Sequence, residues 1–238
     1  MAKMTLDELV AQLKAALGAD LRTVAVYGSA AAGEHYTGKS DLNLLVVVNS
    51  LPTERLDAAA AAVSEWTDGG NTAPLMLTSD EWRGSADIFA MEFADILERH
   101  RLVHGEFPSE VRVDPTHLRH ELEREAMVAV LQLRRAALAT GHDGKARIEI
   151  LTRGASTIMA LFRAVVRLRG EAPSKDDVEL ATAVATIAGT DAAPFVRVIQ
   201  HRRGSVPLKP ADAASVMAGC LDGLQRLVRY LDQFKGRA

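Results

Sequence analysis

The apolar run from Leu42 to Val48, nearly unbroken, is the feature that most constrains how this chain can fold. A strand that is exposed on one face alternates apolar and polar residues, whereas a continuous apolar run of this length is typical of a strand buried on both faces. The run therefore predicts a sheet with a packed layer against each face. A β-branched run from Thr23 to Tyr27 predicts a second strand, and a segment rich in small residues joins the two.

Start and stop signals predict the other elements of the first half of the chain. Thr5 and Glu8 have the spacing of a capping box, and the apolar residues that follow recur at helical intervals as far as Gly18. Alternation of Phe89, Met91 and Phe93 favours a strand that runs into a helix over residues 89–96. The further predictions are an Ala-rich helix over 53–66, a strand over Leu75 to Thr78 and a turn capped by Ser79.

Beyond residue 116 the apolar periodicity is helical throughout. It predicts helices near residues 117–140, 147–169, 174–188, 192–202 and 211–235. The preceding segment, Gly105 to Thr116, holds two prolines and has no helical period, so the domain boundary is placed there. The sequence thus predicts an α+β protein, with a mixed sheet and flanking helices over residues 1–108 and an all-α helical bundle over 109–238.

Composition narrows the class of protein. Hydrophobic residues make up 48% of the chain and charged residues 25%, which is typical of a globular protein. No run reaches the length of a membrane span, so no membrane partner is expected, and the single cysteine, Cys220, fits a reducing cytoplasm. Residues 1–105 carry 8 Lys and Arg against 15 Asp and Glu, and the remainder carries 20 against 16. This bias is too mild for a dedicated nucleic-acid-binding protein.

Two short motifs flank the segment between the first two strands. Gly28-Ser29 directly follows a strand, where backbone N–H groups and a hydroxyl can face an anion, although such turns are also common without a ligand. Ser40-Asp41-Leu42-Asn43 leads into the next strand. Because alternate residues of a strand share a face, Asp41 and Asn43 should point together while Leu42 and Leu44 enter the core.

In this order and spacing, Gly28-Ser29, Gly33 and Ser40-Asp41-Leu42-Asn43-Leu44 resemble the signature of the DNA polymerase β-like nucleotidyltransferase superfamily. The helical second half resembles the layout of its minimal and kanamycin nucleotidyltransferase-like members. The resemblance implies a Mg²⁺-bound (or Mn²⁺-bound) nucleoside triphosphate, with ATP expected, and transfer of the nucleoside monophosphate to a hydroxyl of a small molecule, RNA or protein. It implies phosphate binding by Gly28, Ser29 and Ser40, and metal binding by Asp41 and Asn43.

The chain departs from that signature at position 43, where the family has a second Asp. The Asn43 amide oxygen can ligate Mg²⁺ but brings no negative charge. The predicted strand Leu75 to Thr78 also lacks the third acid that the family often supplies. Glu92 is a candidate substitute, although solvent exposure is the simpler expectation for a single Glu. Two alternatives to an enzyme therefore stay open: a nucleotide sensor or interaction module that lost its acids, and a helical scaffold with an incidental Gly-Ser turn.

Two basic residues are further candidates. Lys39 could reach a phosphate as a point charge, with solvation as the simpler interpretation. Arg163 lies among apolar neighbours on a predicted helix, and we expect it to line an inter-domain cleft and meet the triphosphate or an anionic acceptor. The histidines have no zinc-ligand spacing, and His100 and His104 are interpreted as one helical turn apart. A homodimer is left open.

Overall fold

The computed structural model describes residues 3–28, 31 and 42–234. The chain forms two compact units, Met1–Val113 and Asp114–Ala238. The predicted domain division at residue 108 stays a prediction. Within the described residues, no helix is both long enough and apolar enough to cross a lipid bilayer.

The first unit contains a mixed four-stranded sheet and four helices among its described residues. In chain order the elements are α1 (Leu6–Leu17), β1 (Leu21–Tyr27), β2 (Asn43–Val48), α2 (Thr53–Asp68), β3 (Leu75–Thr78), α3 (Ser79–Gly84), α4 (Ala90–Glu98) and β4 (His100–Gly105). The strand order is β3-β2-β1-β4. β1 runs antiparallel to both of its neighbours, and β2 and β3 are parallel.

A hydrophobic layer covers each face of this sheet, as the apolar run of β2 predicts. Leu44, Val46 and Val48 pack with Val24 and Val26 of β1 against α1 and α2. Leu45 and Val47 face the opposite way and pack against residues of α3, α4 and the segment after β4, chiefly Trp82, Phe93, Ile96 and Val111. Leu44 is buried and Leu42 packs half-buried against the same cluster, which confirms that both enter the core.

The predicted start of α1 is confirmed in detail. Thr5 Oγ1 accepts a hydrogen bond from the Glu8 N–H, and the Glu8 carboxylate accepts one from the Thr5 N–H at 2.7 Å. The helix ends at Leu17, with Gly18 as its C-cap. The first two predicted strands, the strand Leu75 to Thr78 and the Ala-rich helix are also found, with bounds that differ by at most two residues.

Three local predictions were wrong. Residues 89–96 contain no strand, because Ala90, Phe93 and Ile96 are buried at helical spacing and form one face of α4. Residue 79 begins helix α3, whose N-cap is Thr78. His100 and His104 lie on strand β4 instead of a helix, since this segment pairs with β1.

The second unit is helical throughout its described residues. Its helices are α5 (Pro115–Thr140), α6 (Gly144–Leu168), α7 (Asp177–Ala188), α8 (Ala193–Arg202) and α9 (Ala213–Gln233). Asp114, Asp143 and Asp176 cap the N-termini of α5, α6 and α7 by accepting backbone N–H groups. The predicted α+β fold class, with a sheet followed by a helical bundle, is confirmed.

Candidate functional site

Two neighbouring strand ends bring Gly28 and Asn43 together. Tyr27, the last residue of β1, lies directly opposite Asn43, the first residue of β2, and Gly28 follows Tyr27. A Cβ atom added to Gly28 would lie 3.5 Å from Asn43 Nδ2, which is an ordinary van der Waals distance. One described residue of each predicted motif, Gly28 and Asn43, therefore lies at the same end of the sheet.

The backbone of Gly28 explains why a glycine follows β1. Its φ is +76°, in the left-handed region that residues with a side chain rarely adopt. Its N–H donates a hydrogen bond to the Arg99 carbonyl oxygen at 3.0 Å. Because that N–H is already bonded, Gly28 does not donate it to an anion. Its contribution is the lack of a side chain, which lets an anion come close to the main chain.

Glu92 lies on the face of the sheet that the side chains of Tyr27 and Asn43 share. The Tyr27 hydroxyl donates a hydrogen bond to Glu92 Oε1 at 2.8 Å, which joins β1 to the first turn of α4. Glu92 is half-buried, so the solvent-exposed position that was the simpler expectation from the sequence is wrong. Burial first, and then the negative charges of Glu92 and Asp95, raise the pKa of the Tyr27 hydroxyl well above its ordinary value.

Glu81 and Asp80, which follow β3 at the opposite end of the sheet, have local structural partners. Glu81 completes a capping box at the start of α3, where its carboxylate accepts the Thr78 N–H at 2.7 Å. Asp80 pairs with Arg83 on the same helix. β3 contributes no acid, and its Leu75 and Leu77 side chains pack against the core. Of Glu81, Asp80 and Glu92, it is Glu92 that has a contact with the end of β1.

Ser29, Lys39, Ser40 and Asp41 lie outside the described residues, so their predicted roles stay predictions. Arg163 is half-buried on α6, next to the buried residues Phe162 and Ala164. Its predicted position in a cleft also stays a prediction. Arg153, on the same helix, is exposed and pairs with Glu149 one helical turn earlier.

The oxygen donors at this strand end suit a hard dication. Mg²⁺ is usually bound by one or two carboxylates together with waters and substrate phosphates. The described residues offer the Asn43 amide oxygen and the Glu92 carboxylate, and they contain no group of three His, Cys, Asp or Glu side chains arranged to hold a metal by themselves. One amide oxygen and one carboxylate are a donor set compatible with a hard dication that takes its other ligands from water or a bound anion.

A cavity of about 430 Å³ lies elsewhere, at the opposite end of the same sheet. Its lining includes Arg22, Thr23, Ser79 and His104, from the start of β1, the start of α3 and the end of β4. None of the described residues in its lining belongs to the predicted site. We place the candidate site at the Gly28–Asn43 end because one described residue of each motif lies there.

Tyr27 is the residue of this site that the sequence did not single out. One signal was present: Tyr27 ends the predicted strand on the face opposite to Val24 and Val26, immediately before the glycine. Its partner Glu92 is 65 positions away in the chain. No local pattern joins residues so far apart.

Comparison with known proteins gives a likeness of fold. No protein-family model matches the chain, and no curated protein matches its sequence. Among solved structures, it is similar to the spectinomycin adenyltransferase AAD(9) from Enterococcus faecialis, crystallised with ATP and spectinomycin. The TM-score is 0.60 at 12% sequence identity, over 96% of this chain and 98% of that one. The chain therefore has a nucleotidyltransferase-like fold.

Proposed function

We propose that this chain is a nucleotidyltransferase that binds a magnesium–nucleoside triphosphate, with ATP as the expected nucleotide. It transfers the nucleoside monophosphate to a hydroxyl group of an acceptor. The observation that carries the proposal is the likeness, over 96% of the chain, to an adenyltransferase whose structure contains ATP and an acceptor molecule. The meeting of Gly28 and Asn43 at one strand end supports it independently.

The residues at the strand ends would divide the work of binding. Gly28 lets a phosphate approach the main chain, and Ser29, Ser40 and Lys39 bind phosphate oxygens. Asp41 and the Asn43 amide hold the cation, which neutralises charge on the triphosphate when it is bound. Arg163 faces the triphosphate or an anionic acceptor. The acceptor oxygen forms a bond to the α-phosphorus as the bond to pyrophosphate breaks, and the hydroxyl proton leaves to a carboxylate or to water.

The test is transfer from α-labelled ATP in the presence of Mg²⁺ or Mn²⁺. Wild type is compared with Asp41→Asn and Asn43→Asp, and spectinomycin is the first acceptor offered because the structural neighbour binds it. We expect wild type to release pyrophosphate and label the acceptor, and Asp41→Asn to lose that activity. Asp57→Asn, which removes an exposed carboxylate on α2, is the matched control and should leave it unchanged.

The other outcomes point to the alternatives. Release of pyrophosphate only after Asn43→Asp would identify a site that has lost its activity. Nucleotide binding without turnover in any variant would favour a sensor or interaction module. Absence of both binding and turnover would overturn the proposal.

A further inference from the structure

The Tyr27–Glu92 hydrogen bond is a polar side-chain contact between β1 and α4 at the candidate site. Tyr27 is half-buried and packs at the margin of the core that contains Leu45, Trp82 and Phe93. A hydroxyl in such a place is costly unless it is bonded, and Glu92 provides the acceptor. The contact holds one carboxylate oxygen, Oε1, and leaves Oε2 unengaged by Tyr27.

The position of this pair relates it to Asn43. Directly opposed residues on antiparallel strands project from the same face, with Cβ atoms about 5 Å apart. Tyr27 and Asn43 are such a pair. Glu92, bonded to Tyr27, therefore lies on the face of the sheet that the Asn43 side chain occupies, and Gly28 is adjacent along the chain.

The Tyr27–Glu92 hydrogen bond orients the Glu92 side chain. The Tyr27 hydroxyl is the donor and Glu92 Oε1 is the acceptor, at 2.8 Å. Tyr27 is itself held by its packing at the margin of the core, so the carboxylate group that it bonds is held at one oxygen. A hydrogen bond from a hydroxyl to a carboxylate is stronger than one between neutral groups, which makes this contact suited to orient its acceptor.

The described ends of β1, β2 and β3 at this site carry no carboxylate side chain. Asn43 replaces a carboxylate with a neutral amide, and β3 supplies no acid. A divalent cation gains affinity as the number of charged ligands rises. Glu92 is a carboxylate held at the place where the strand ends lack one.

We infer that Tyr27 and Glu92 act together in the site. Glu92 supplies the negative charge that position 43 lacks, and this charge faces the cation of a metal–nucleotide. Tyr27 is the positioning residue that holds the Glu92 carboxylate. This inference rests on the proposed function. It adds to that proposal the acid that compensates for Asn43.

The charge role and a purely structural role of the pair predict different binding behaviour. If Glu92 only anchors α4, its loss weakens nucleotide binding equally with and without metal. If its charge faces the cation, Glu92→Gln weakens binding only when the metal is present. Without metal the same variant binds nucleotide as well as wild type or better, because a carboxylate repels a triphosphate.

The experiment is calorimetric titration of wild type, Glu92→Gln, Tyr27→Phe and the double variant with α,β-methylene-ATP, in Mn²⁺ and in EDTA. In Mn²⁺ we expect Glu92→Gln to lose about tenfold in affinity. Tyr27→Phe, which keeps the ring and removes only the hydroxyl, should lose less. In the Glu92→Gln background, Tyr27→Phe should add nothing, because its effect passes through Glu92.

Two control variants remove similar groups elsewhere. Asp87→Asn takes away an exposed carboxylate between α3 and α4, and Tyr230→Phe takes away a hydroxyl that contacts Arg169 in the second unit. Both should bind the metal–nucleotide as wild type does. Thermal unfolding of every variant establishes that each is folded.

The outcomes separate this inference from the proposed function. If wild type binds the nucleotide and Glu92→Gln has the same affinity, or an affinity reduced equally with and without Mn²⁺, the inference is overturned. The proposed function then stands. Failure of wild type to bind the manganese–nucleotide overturns the function and, with it, the role of the pair.

Discussion

At the residue scale, Gly28 illustrates a position where conformation decides the residue type. Its left-handed φ disfavours residues with a side chain because of backbone strain. The space beside Asn43 would by itself admit a methyl group at 3.5 Å. The strain of placing an L-residue there is about 1–2 kcal/mol. The sequence indicated a glycine for phosphate approach, and the structure adds the conformational requirement.

Gly28→Ala should therefore lower the free energy of unfolding by about 1 kcal/mol, because alanine is strained at this φ while its methyl group meets no clash. It should also weaken binding of a magnesium–nucleotide. Chemical denaturation and calorimetry measure the two effects. Unchanged nucleotide affinity in this variant would remove Gly28 from the site.

Cys220 is a second residue whose behaviour follows from its surroundings. It is buried on α9, and burial raises the pKa of its thiol to about 12. Because the thiolate is the reactive form, the native protein at pH 8 should react with a thiol reagent orders of magnitude more slowly than the denatured chain. A spectrophotometric thiol assay with and without denaturant checks this, and rapid labelling of the native protein would contradict it.

At the scale of elements, the edge strand β4 depends on one glycine. Gly105 pairs with Thr23 and has φ +77°, and a Cβ atom there would lie 1.7 Å from the Arg22 carbonyl oxygen. No rotation of a side chain can relieve a clash with backbone, so the strand would have to move. The close approach fixes where β4 meets β1.

Gly105→Ala should destabilise the protein by about 3 kcal/mol, which is the sum of conformational strain and overpacking. Gly189→Ala is the matched control, because Gly189, the C-cap of α7, also has a positive φ but has no atom near the added methyl group. The control should cost only about 1 kcal/mol. Equal losses for the two variants in urea denaturation would exclude the clash as the cause.

The start of α7 is a second element whose stability can be tested, here through pH. Asp176 accepts the N–H groups of Val178 and Glu179 and pairs with Arg203 at 2.9 Å. The backbone N–H of Glu179 is the main cause that lowers the pKa of Asp176 below 3.8, and Arg203 adds to it. A lowered folded pKa means that this stability is present above pH 3.8 and is lost as the pH falls through the folded value.

Asp176→Asn keeps a capping oxygen but loses the charge. Because both partners are partly exposed, we expect it to cost at most about 1 kcal/mol at pH 7. The difference from wild type should shrink as the pH is lowered from about 4 toward 2. Denaturation of both proteins across that range measures it, and a difference that does not depend on pH would refute the assignment.

At the scale of the whole molecule, the two units differ in both architecture and charge. The acidic first half carries the sheet and the candidate site, and the more basic second half is helical. The fold likeness to an adenyltransferase extends over both units. Ligand binding to this fold should therefore be visible as a change in global stability.

A ligand that binds only the native state stabilises it by about 2.7 kcal/mol at a hundred times its dissociation constant. For a protein of this size, that raises Tm by roughly 5–10 °C. We expect saturating Mg²⁺ with ATP to produce such a shift, and ATP in EDTA to produce a smaller one. Scanning fluorimetry measures both, and no shift with either would favour the scaffold alternative.

The sequence by itself determined the elements whose signals are local. Capping residues, helical periodicity and the apolar run of β2 predicted α1, the two central strands and the helical second half, because each signal lies within the element that it specifies. The Gly28 and Asn43 motifs were found in the same way. These features depend on neighbours in the chain and need no knowledge of the fold.

Only the tertiary structure decided the identity of β4, the helical state of residues 90–98 and the partnership of Tyr27 with Glu92. A short apolar run fits a strand or a helix equally well until its packing partners are known. β4 is a half-exposed edge strand whose pairing with β1 selects it, and Glu92 meets a hydroxyl 65 positions away. Contacts of this range arise from the packing of distant elements, and the chain carries no local pattern for them.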